Sequence, residues 1–251
     1  MSSLTARVEE TRRLTRHLVR VVLGGDDLAD HPEPEFTDAY LKMTFPGPDG
    51  PVARRYSVRR WDAGARLLTV DFVVHGDEGV AGPWAAAARP GDEVGVSLPG
   101  GSYRPDLAAA WHLMVGDESA LPAIAASLEQ VPAGAPTVVR LVCDGPEDEL
   151  ALASPGALDV VWLHRRGADD PVGLLPQAVR DMPFLRGPVH AFVHGEAGEV
   201  RDVRRHLLGE RGVDRALLSA SGYWRRTMTD EAWRRVKAAW NAEVERDVPA
   251  A

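Results

Sequence analysis

The apolar residues of this chain change their pattern near residue 108, and this change restricts the fold more than any other feature. Before it, short apolar runs alternate with polar residues and are interrupted by Gly, Pro and Asp. After it, apolar residues form compact runs. Alternation is typical of antiparallel strands with one solvated face, whereas compact runs are typical of parallel strands buried on both faces. Because 251 residues are enough for two cores, the pattern predicts two domains, 1–107 and 108–251.

The first domain contains regularly spaced runs with the length and alternation of β-strands. These predicted strands are residues 15–23, 39–45, 54–60, 67–74 and 94–98. Turns rich in Gly, Pro and Asp separate them, and no long helical pattern intervenes. Such spacing predicts a small antiparallel β-barrel.

In the second domain, compact apolar runs alternate with helical patterns. The predicted strands are residues 111–115, 137–143, 158–163, 189–193 and 216–219. The predicted helices are residues 120–131, a segment with Val200, Val203 and Leu207 on one face that ends at Gly212, and a last helix capped by Thr229 with Trp233, Val236, Trp240 and Val244 on one face. This alternation predicts a nucleotide-type α/β domain with a parallel sheet, whose ligands lie beyond the carboxyl ends of the strands.

Composition excludes several classes of protein. The formal charge of −8 at pH 7 argues against general nucleic-acid binding and against attachment to an anionic membrane surface. Cys143 is the only cysteine, which excludes an internal disulfide and a thiolate-held iron–sulfur or zinc site within this chain. Redox chemistry therefore requires an added organic cofactor. Lys occurs only at positions 42 and 237, so nearly all basic side chains are Arg, which favours planar two-point contacts.

Targeting and metal-binding signals give further expectations. The first ten residues contain no basic segment that leads into an apolar run, and no apolar stretch is long enough to span a bilayer. We therefore expect a cytoplasmic protein without membrane insertion. The eight histidines are scattered, with no close pair at a helical ligand spacing, so we expect no protein metal site.

The segment Arg54-Arg55-Tyr56-Ser57-Val58-Arg59 carries the chemistry of the first domain. In a strand, Arg54 and Tyr56 point one way, whereas Arg55 and Ser57 point the other. A flavin dinucleotide needs a guanidinium for its pyrophosphate, an aromatic face for its ring system and a small hydrogen-bonding group near its reactive nitrogen. The segment supplies these three groups, although an Arg-Tyr pair is also common on an ordinary surface strand.

The segment from His75 to Trp84 is a second candidate for the pyrophosphate. It is rich in glycine and leads into a predicted short helix, with Gly82 as the cap and Pro83 at the first helical position. A helix that starts from such a turn offers free N–H groups to a phosphate. The alternative is a turn that needs glycine only for its backbone geometry.

At the end of the first parallel strand, the segment Gly116-Asp117-Glu118-Ser119 lacks the Gly-x-Gly-x-x-Gly fingerprint. The carboxylates of Asp117 and Glu118 would repel a pyrophosphate placed on the helix start, which leaves a shallow nicotinamide-side contact near Gly116. The same residues also make an ordinary helix start.

Taken together, these motifs resemble those of the siderophore-interacting proteins, which are flavin-dependent ferric-siderophore reductases related in fold to ferredoxin reductases. The resemblance covers nearly the whole chain. It rests on Arg54-x-Tyr56-Ser57-Val58-Arg59, Asp71 to Gly76, Gly79 to Ala85, Pro90-Gly91-Asp92, Gly116 to Ile124, Gly195-Glu196 and Gly222-Tyr223-Trp224-Arg225.

The resemblance implies a six-stranded antiparallel barrel that binds FAD and an α/β domain that binds NAD(P)H. Arg54 would pair with the pyrophosphate, Tyr56 would pack on the isoalloxazine and Ser57 would lie near its N5, which makes Tyr56 and Ser57 the candidate catalytic residues. The full set of implied cofactor-binding residues is Arg54, Tyr56, Ser57, Val58, Asp71, Val73, His75, Gly76, Gly79, Val80, Ala81, Gly82, Trp84, Gly116, Asp117, Glu118, Tyr223 and Trp224.

The resemblance also implies the reaction and its partners. NADPH or NADH, or ferredoxin in some relatives, would supply electrons, and FAD would pass them to a ferric siderophore to release Fe(II). Arg59, Arg60 and Arg225, with Arg104 and Arg226, are candidate contacts to the anionic chelate, and Arg165 and Arg166 could meet a 2′-phosphate. Two alternatives stay open: another flavin reductase acting on free flavin, a quinone or a protein, and a non-enzymatic ligand binder. We expect a monomer.

Overall fold

The computed structural model describes residues 4–76 and 79–248, except for the side chain of Asp30. The chain forms a closed six-stranded antiparallel barrel and a five-stranded parallel sheet, which confirms the predicted β plus α/β architecture. By their contacts, the described residues up to Arg104 group with Pro122–Gln130 and Glu147–Ala153 into one unit, called here the barrel unit. The other described residues form the α/β unit. The domain boundary at residues 107 and 108 stays a prediction.

The barrel consists of six strands in the order β1-β2-β5-β4-β3-β6, closed by the pairing of β6 with β1. These strands are β1 (Leu4–Arg13), β2 (Leu18–Gly24), β3 (Tyr40–Phe45), β4 (Val52–Asp62), β5 (Leu67–Val73) and β6 (Glu93–Val96). Sequence analysis missed β1 because only Ala6 and Val8 of its ten residues are buried, so the strand lacks an apolar run. It belongs to the barrel through its pairing with both neighbours.

Aliphatic side chains fill most of the barrel interior, and a cluster of aromatic side chains packs against them. The rings of Phe45, Tyr56, Phe72 and Trp84 lie with their centroids 4.3–6.2 Å apart. Trp84 belongs to the short helix α1 (Ala81–Ala87). This helix therefore packs on the barrel through an aromatic side chain of its own.

Helix α1 starts two residues earlier than predicted. Val80, and not Gly82, is its N-cap, and Pro83 is its third residue. The prediction was wrong here because the first N–H groups of any helix lack an intrahelical acceptor, so proline fits at several first-turn positions.

The α/β unit contains the five parallel strands β7 (Trp111–Asp117), β8 (Pro136–Cys143), β9 (Ala157–His164), β10 (Val189–Glu196) and β11 (Leu218–Trp224). Their order is β11-β10-β7-β8-β9. The chain runs outward from β7 through β8 to β9 and then crosses to the other side at β10. The strand order thus reverses between β7 and β10, and in folds of this type the ligand crevice lies beyond the carboxyl ends of such a pair.

Four helices accompany the sheet strands along the chain, namely α2 (Leu121–Leu128), α3 (Leu174–Asp181), α4 (Ala197–Gly209) and α5 (Asp230–Asp247). The predicted cap of α5 is confirmed, since the Thr229 side chain accepts a hydrogen bond from the Ala232 N–H. Among the described residues, no helix is both long enough and apolar enough to cross a membrane.

Two predictions in this unit need correction. Val236 is 39% exposed and does not share the buried face of Trp233, Trp240 and Val244. A helix turns about 100° per residue, so a residue three positions after Trp233 lies about 60° off that face. The last strand begins at Leu218, after a single 3₁₀ turn at Arg215–Leu217 that Asp214 caps, and not at residue 216.

Candidate functional site

Strand β4 presents Arg54 and Tyr56 on one face of the barrel sheet. Tyr56 pairs with Leu41, and Arg54 pairs with Met43, both of which are buried in the barrel core. Directly opposed residues of antiparallel strands point to the same side, so Arg54 and Tyr56 share the face of these apolar residues. Arg55 lies on the other face, with its guanidinium 5.7 Å from the centroid of the Tyr40 ring. The predicted alternation is therefore present.

The Tyr56 ring is held in place from one side. Its centroid lies 4.3 Å from that of Phe72, and Phe45 approaches it edge-on at 6.1 Å. The residue as a whole is only half-buried. The neighbours Ser57 and Val58 are 9% and 4% exposed. A half-buried ring that is fixed by core contacts can offer its remaining surface to a planar ligand at little entropic cost.

Two exposed glycines follow β5. Gly76 and Gly79 have φ values of +59° and +77°, and no described atom lies within 4 Å of where a Cβ would be. His75 is exposed, and Asp77 and Glu78 are outside the described residues. Glycine adopts such φ values without strain, so the turn brings bare backbone close to any ligand bound there.

The start of α1 lies next to this turn. A Cβ on Gly82 would lie 3.4 Å from the Val73 carbonyl oxygen, so the first turn of the helix packs closely on the end of β5. Ala81 is buried and Val80 is half-buried. No side chain in the described part of the chain caps the helix at Val80. The first N–H groups of a helix have no acceptor within the helix itself.

Asp71 has a different environment from the other cofactor candidates in the barrel. Its carboxylate accepts two hydrogen bonds from the Arg20 guanidinium, at 2.6 and 2.7 Å, across the β2–β5 pair. Asp71 is 7% exposed. Although burial opposes the shift, the hydrogen bond and charge of Asp71 raise the pKa of Arg20. This ion pair links strands β2 and β5, so both carboxylate oxygens of Asp71 already accept hydrogen bonds from within the barrel unit.

The candidate substrate arginines occupy separate places. In the barrel unit, Arg59 forms an ion pair with Glu129 at 2.5 Å, the side chain of Arg60 is 69% exposed and Arg104 donates to the Glu35 carbonyl oxygen. In the α/β unit, the Arg225 guanidinium lies 6.0 Å from the centroid of the Trp233 ring, and Arg226 pairs with Glu199.

Asp117 and Glu196 end the two strands between which the strand order reverses. Both are almost completely buried. Asp117 accepts hydrogen bonds from the backbone and hydroxyl of Ser119, from the Glu196 N–H and from the Trp224 indole N–H. Glu196 caps α4 by accepting from the N–H groups of Gly198 and Glu199, at 2.7 and 3.0 Å. Carboxylates of the chain itself therefore occupy the places where a phosphate binds in many nucleotide folds.

Glu118 is paired with Arg165. Two hydrogen bonds of 2.6 and 2.8 Å join the carboxylate to the guanidinium. Burial lowers the pKa of Arg165, but the hydrogen bonds and charge of Glu118 outweigh it, so the pKa lies above its ordinary value. The guanidinium predicted to meet a 2′-phosphate is thus held within the unit.

Glu199, in the first turn of α4, was missed by sequence analysis. It is 2% exposed, and its carboxylate accepts a hydrogen bond from Arg226. Burial and the charge of Asp117 raise its pKa to about 8, although Arg226 and Arg165 act in the opposite direction. The signal was present in the sequence, because acids at the cap and at the third helical position, Glu196 and Glu199, have the spacing of a capping box.

The aromatic residues at the end of β11 contact polar residues of the same unit. The ring of Tyr223 meets that of His194 edge-on at 5.0 Å. Burial lowers the pKa of His194 to about 3, so this imidazole is neutral at physiological pH. The Trp224 indole N–H lies 2.7 Å from an Asp117 oxygen, and the Arg226 guanidinium lies 5.7 Å from the centroid of the Trp224 ring. Gly116 is buried beside β10, where it pairs with His194.

The donor set of the barrel unit fits FAD. Arg54 offers a guanidinium, Tyr56 a half-buried ring on the same face, and the exposed glycines Gly76 and Gly79 precede α1, whose start no described side chain caps. A cation and backbone N–H groups suit a pyrophosphate, and the ring suits a flat tricycle.

Comparison with known families agrees with this arrangement. Residues 46–103 match the family model described as a siderophore-interacting FAD-binding domain. Residues 109–227 match the model described as a siderophore-interacting protein. The first match contains the predicted cofactor-binding residues from Arg54 to Trp84. The second contains the predicted cofactor-binding residues from Gly116 to Trp224.

Individual relatives cover nearly the whole chain. An uncharacterized protein of Mycobacterium tuberculosis is 43% identical over 92% of this chain and 93% of its own length. The ferric vibriobactin reductase ViuB of Vibrio cholerae is 33% identical over 88% of each chain. A crystal structure of a siderophore utilization protein from T. fusca is 37% identical, with a TM-score of 0.81 over 91% of this chain and 95% of that one. The chain belongs to the siderophore-interacting protein family.

Proposed function

We propose that the protein is a ferric-siderophore reductase that passes electrons from NAD(P)H through FAD to an Fe(III)-siderophore and so releases Fe(II). The observation that carries the proposal is the barrel strand on which Arg54 and Tyr56 share one face, within the region that matches an FAD-binding family. The relative named ferric vibriobactin reductase supports the choice of acceptor.

Each candidate residue of the barrel unit would have its own part in holding the cofactor. The Arg54 guanidinium would hold the pyrophosphate, together with backbone N–H groups at Gly79, Val80, Ala81 and Gly82. Tyr56, which is fixed by Phe72, would pack on the flavin ring system, and Ser57 would offer a hydroxyl to its reactive nitrogen. The other residues that would contact FAD are Val58, Val73, His75, Gly76 and Trp84. When bound, FAD supplies the ability to accept two electrons as hydride and to release them singly.

The substrate is recognised by charge, and the iron is released by its change of oxidation state. Catecholate and hydroxamate oxygens are hard ligands that prefer Fe(III), so one-electron reduction weakens the chelate. Arg59, Arg60 and Arg225 attract the anionic chelate, and Arg60 is the most exposed of the three, with 69% of its side chain accessible. The chain's own residues bind and orient the chelate.

The electron donor is proposed to be NADPH or NADH, with ferredoxin as the alternative. The carboxylates of Asp117 and Glu196 occupy the usual phosphate positions, and Glu118 pairs with the nearby Arg165 guanidinium. Tight binding of a pyrophosphate is therefore disfavoured at this edge of the sheet. A nicotinamide would then make a shallow contact near Gly116, and Tyr223 and Trp224 would contribute from the end of β11.

The test is a reductive titration of the purified protein loaded with FAD. We expect NADPH to bleach the flavin absorbance under anaerobic conditions and a ferric chelate to restore it, with Fe(II) appearing in a ferrozine assay. Free flavin and a quinone serve as competing acceptors. Faster turnover of these than of any ferric chelate would assign the protein to another class of flavin reductase, and failure to bind FAD would refute the proposal.

A variant links the test to the site. Arg54→Ala is expected to weaken FAD binding about tenfold or more, because a charge-assisted contact to the pyrophosphate is lost. Arg7→Ala, on strand β1 of the same barrel and with 59% of its side chain exposed, is the matched control. Equal FAD affinities of the Arg54→Ala variant and the parent protein, measured by flavin fluorescence, would remove Arg54 from the site.

A further inference from the structure

We infer that Asp117 is a positioning residue that fixes the indole of Trp224, and that it does not contact the electron donor. The inference rests on the proposed function, because it concerns residues of the α/β unit that are proposed to meet the electron donor. Sequence analysis placed Asp117 among the residues that contact a cofactor. Its contacts in the α/β unit indicate a different use.

The carboxylate of Asp117 is saturated by donors from the chain. One oxygen accepts from the Ser119 N–H at 2.8 Å and from the Ser119 hydroxyl at 2.5 Å. The other accepts from the Glu196 N–H at 2.9 Å and from the Trp224 indole N–H at 2.7 Å. A carboxylate offers about four acceptor sites, so these donors leave none for an amide of a bound ligand. Asp117 is also only 1% exposed.

The donors come from different elements of the edge. Ser119 follows β7, Glu196 joins β10 to α4, and Trp224 ends β11. A Cβ on Gly195 would lie 2.7 Å from an Asp117 oxygen, so the absence of a side chain there gives the carboxylate its space. Asp117 therefore connects the ends of three strands, and the Trp224 contact is a side-chain contact that strand pairing alone does not require.

Trp224 has a second fixed neighbour. The Arg226 guanidinium lies 5.7 Å from the centroid of its ring, and Arg226 is itself held by Glu199 and by the bond from its N–H to the Glu196 carboxylate at 3.1 Å. The indole N–H is anchored by Asp117, and a cation lies near the ring. A side chain fixed at two points has little rotamer freedom left to lose when a ligand binds.

The first experiment examines the hydrogen bond without cofactor or turnover. In ¹H–¹⁵N spectra of the full-length protein, the Trp224 indole resonance is assigned by its loss in Trp224→Phe. We expect it to be shifted downfield and protected from hydrogen exchange, and Asp117→Ala, which has no side-chain acceptor, to remove both features. Asp159→Asn, which removes a carboxylate partner of the buried Arg140 in the same sheet, is the control and should leave this resonance in place. An unprotected Trp224 indole in the parent protein would overturn the inference.

The second experiment is a double-mutant cycle, read out as kcat and KM for NADPH with a ferric chelate as the acceptor. Asp117→Ala and Trp224→Phe should each lower kcat/KM for NADPH about tenfold, and the double variant should lose no more than the larger single effect. Additive losses would mean that Asp117 acts independently of Trp224 and would overturn the inference. If the parent protein reduces no ferric chelate, the proposed function fails, whereas the indole resonance still decides the role of Asp117.

Discussion

The barrel unit and the α/β unit use similar residues in opposite ways at their candidate sites. In the barrel unit, the turn at Gly76 and Gly79 is exposed, and no described atom fills the space beside it. In the α/β unit, Asp117, Glu196 and Glu199 are buried and hydrogen-bonded to other residues of the unit. Both regions combine glycine and acidic residues at or just after the end of a strand.

The difference shows that residue types near a strand end do not by themselves distinguish a binding surface from an internal network. A buried carboxylate must be paired, and at the edge of the parallel sheet the pairing groups come from the unit itself. The barrel turn is exposed and so avoids this requirement. The backbone groups of the barrel turn can therefore bind a ligand. The carboxylates of the sheet edge instead stabilise the α/β unit and orient its aromatic side chains.

The largest expected effect tests whether the sheet edge depends on its internal pairs. Arg165→Ala leaves the Glu118 carboxylate, 10% exposed, without its bidentate partner. Because an unpaired buried charge is costly, we expect the free energy of unfolding to fall by about 3 kcal/mol, measured by chemical denaturation. Arg60→Ala in the barrel unit removes a side chain that is 69% exposed and should change it by less than about 0.5 kcal/mol. Equal losses of unfolding free energy in the two variants would contradict the proposed difference between the two regions.

A smaller effect on the free energy of unfolding is expected when glycines of the two regions are replaced by alanine. A Cβ on Gly222 would lie 2.8 Å from the Cβ of Ala197 and 3.2 Å from Cζ2 of Trp233. We expect Gly222→Ala to lower the free energy of unfolding by about 2 kcal/mol through overpacking. Gly79→Ala meets no described atom within 4 Å and only strains a φ of +77°, which costs about 1 kcal/mol. The reverse order in thermal or chemical unfolding would contradict the assignment of a packed edge and an open turn.

The smallest effect concerns pH. Burial and the charge of Asp117 raise the pKa of Glu199 from 4.5 to about 8, so between these values the folded state binds more protons than the unfolded state. Its contribution to stability is complete below pH 4.5 and declines as the pH rises towards 8. Between pH 6 and pH 7, we expect the parent protein to lose about 1 kcal/mol relative to Glu199→Gln.

This pH effect also has a control. Glu243→Gln alters a carboxylate with 54% of its side chain exposed and should keep the pH dependence of the parent. Unfolding curves at the two pH values give the comparison. A Glu199→Gln variant with the same dependence as the parent would mean that Glu199 is ionised at neutral pH and that the Arg226 pair controls its charge.

Much of the architecture could be predicted because it depends on local patterns. Alternating runs indicated the barrel strands, compact runs indicated the parallel sheet, and Thr229 before two acids indicated the start of α5. The strand β1 was missed because its partners are distant in the chain and its own side chains are mostly polar. Pairing with two neighbours stabilises such a strand, and no local pattern reports that pairing.

The candidate site divides in the same way. The alternation of Arg54 and Tyr56 follows from strand geometry and was predicted. The pairing of Asp71 with Arg20, and of Glu118 with Arg165, joins residues more than 45 positions apart in the chain, at separations of 51 and 47. Spacing in the sequence carries no information about such pairs, so neither ion pair was predicted.

The sequence by itself determined the two kinds of sheet, the glycine-rich turn after β5 and the family to which the chain belongs. These depend on side-chain alternation, on backbone freedom at glycine and on the order of short motifs, all of which are local. Only the tertiary structure decided which charged groups are open and which are paired, because burial and the position of a partner depend on how distant segments pack. Asp117 illustrates this: an acid at a strand end became, through Ser119, Glu196 and Trp224, the anchor of an aromatic side chain.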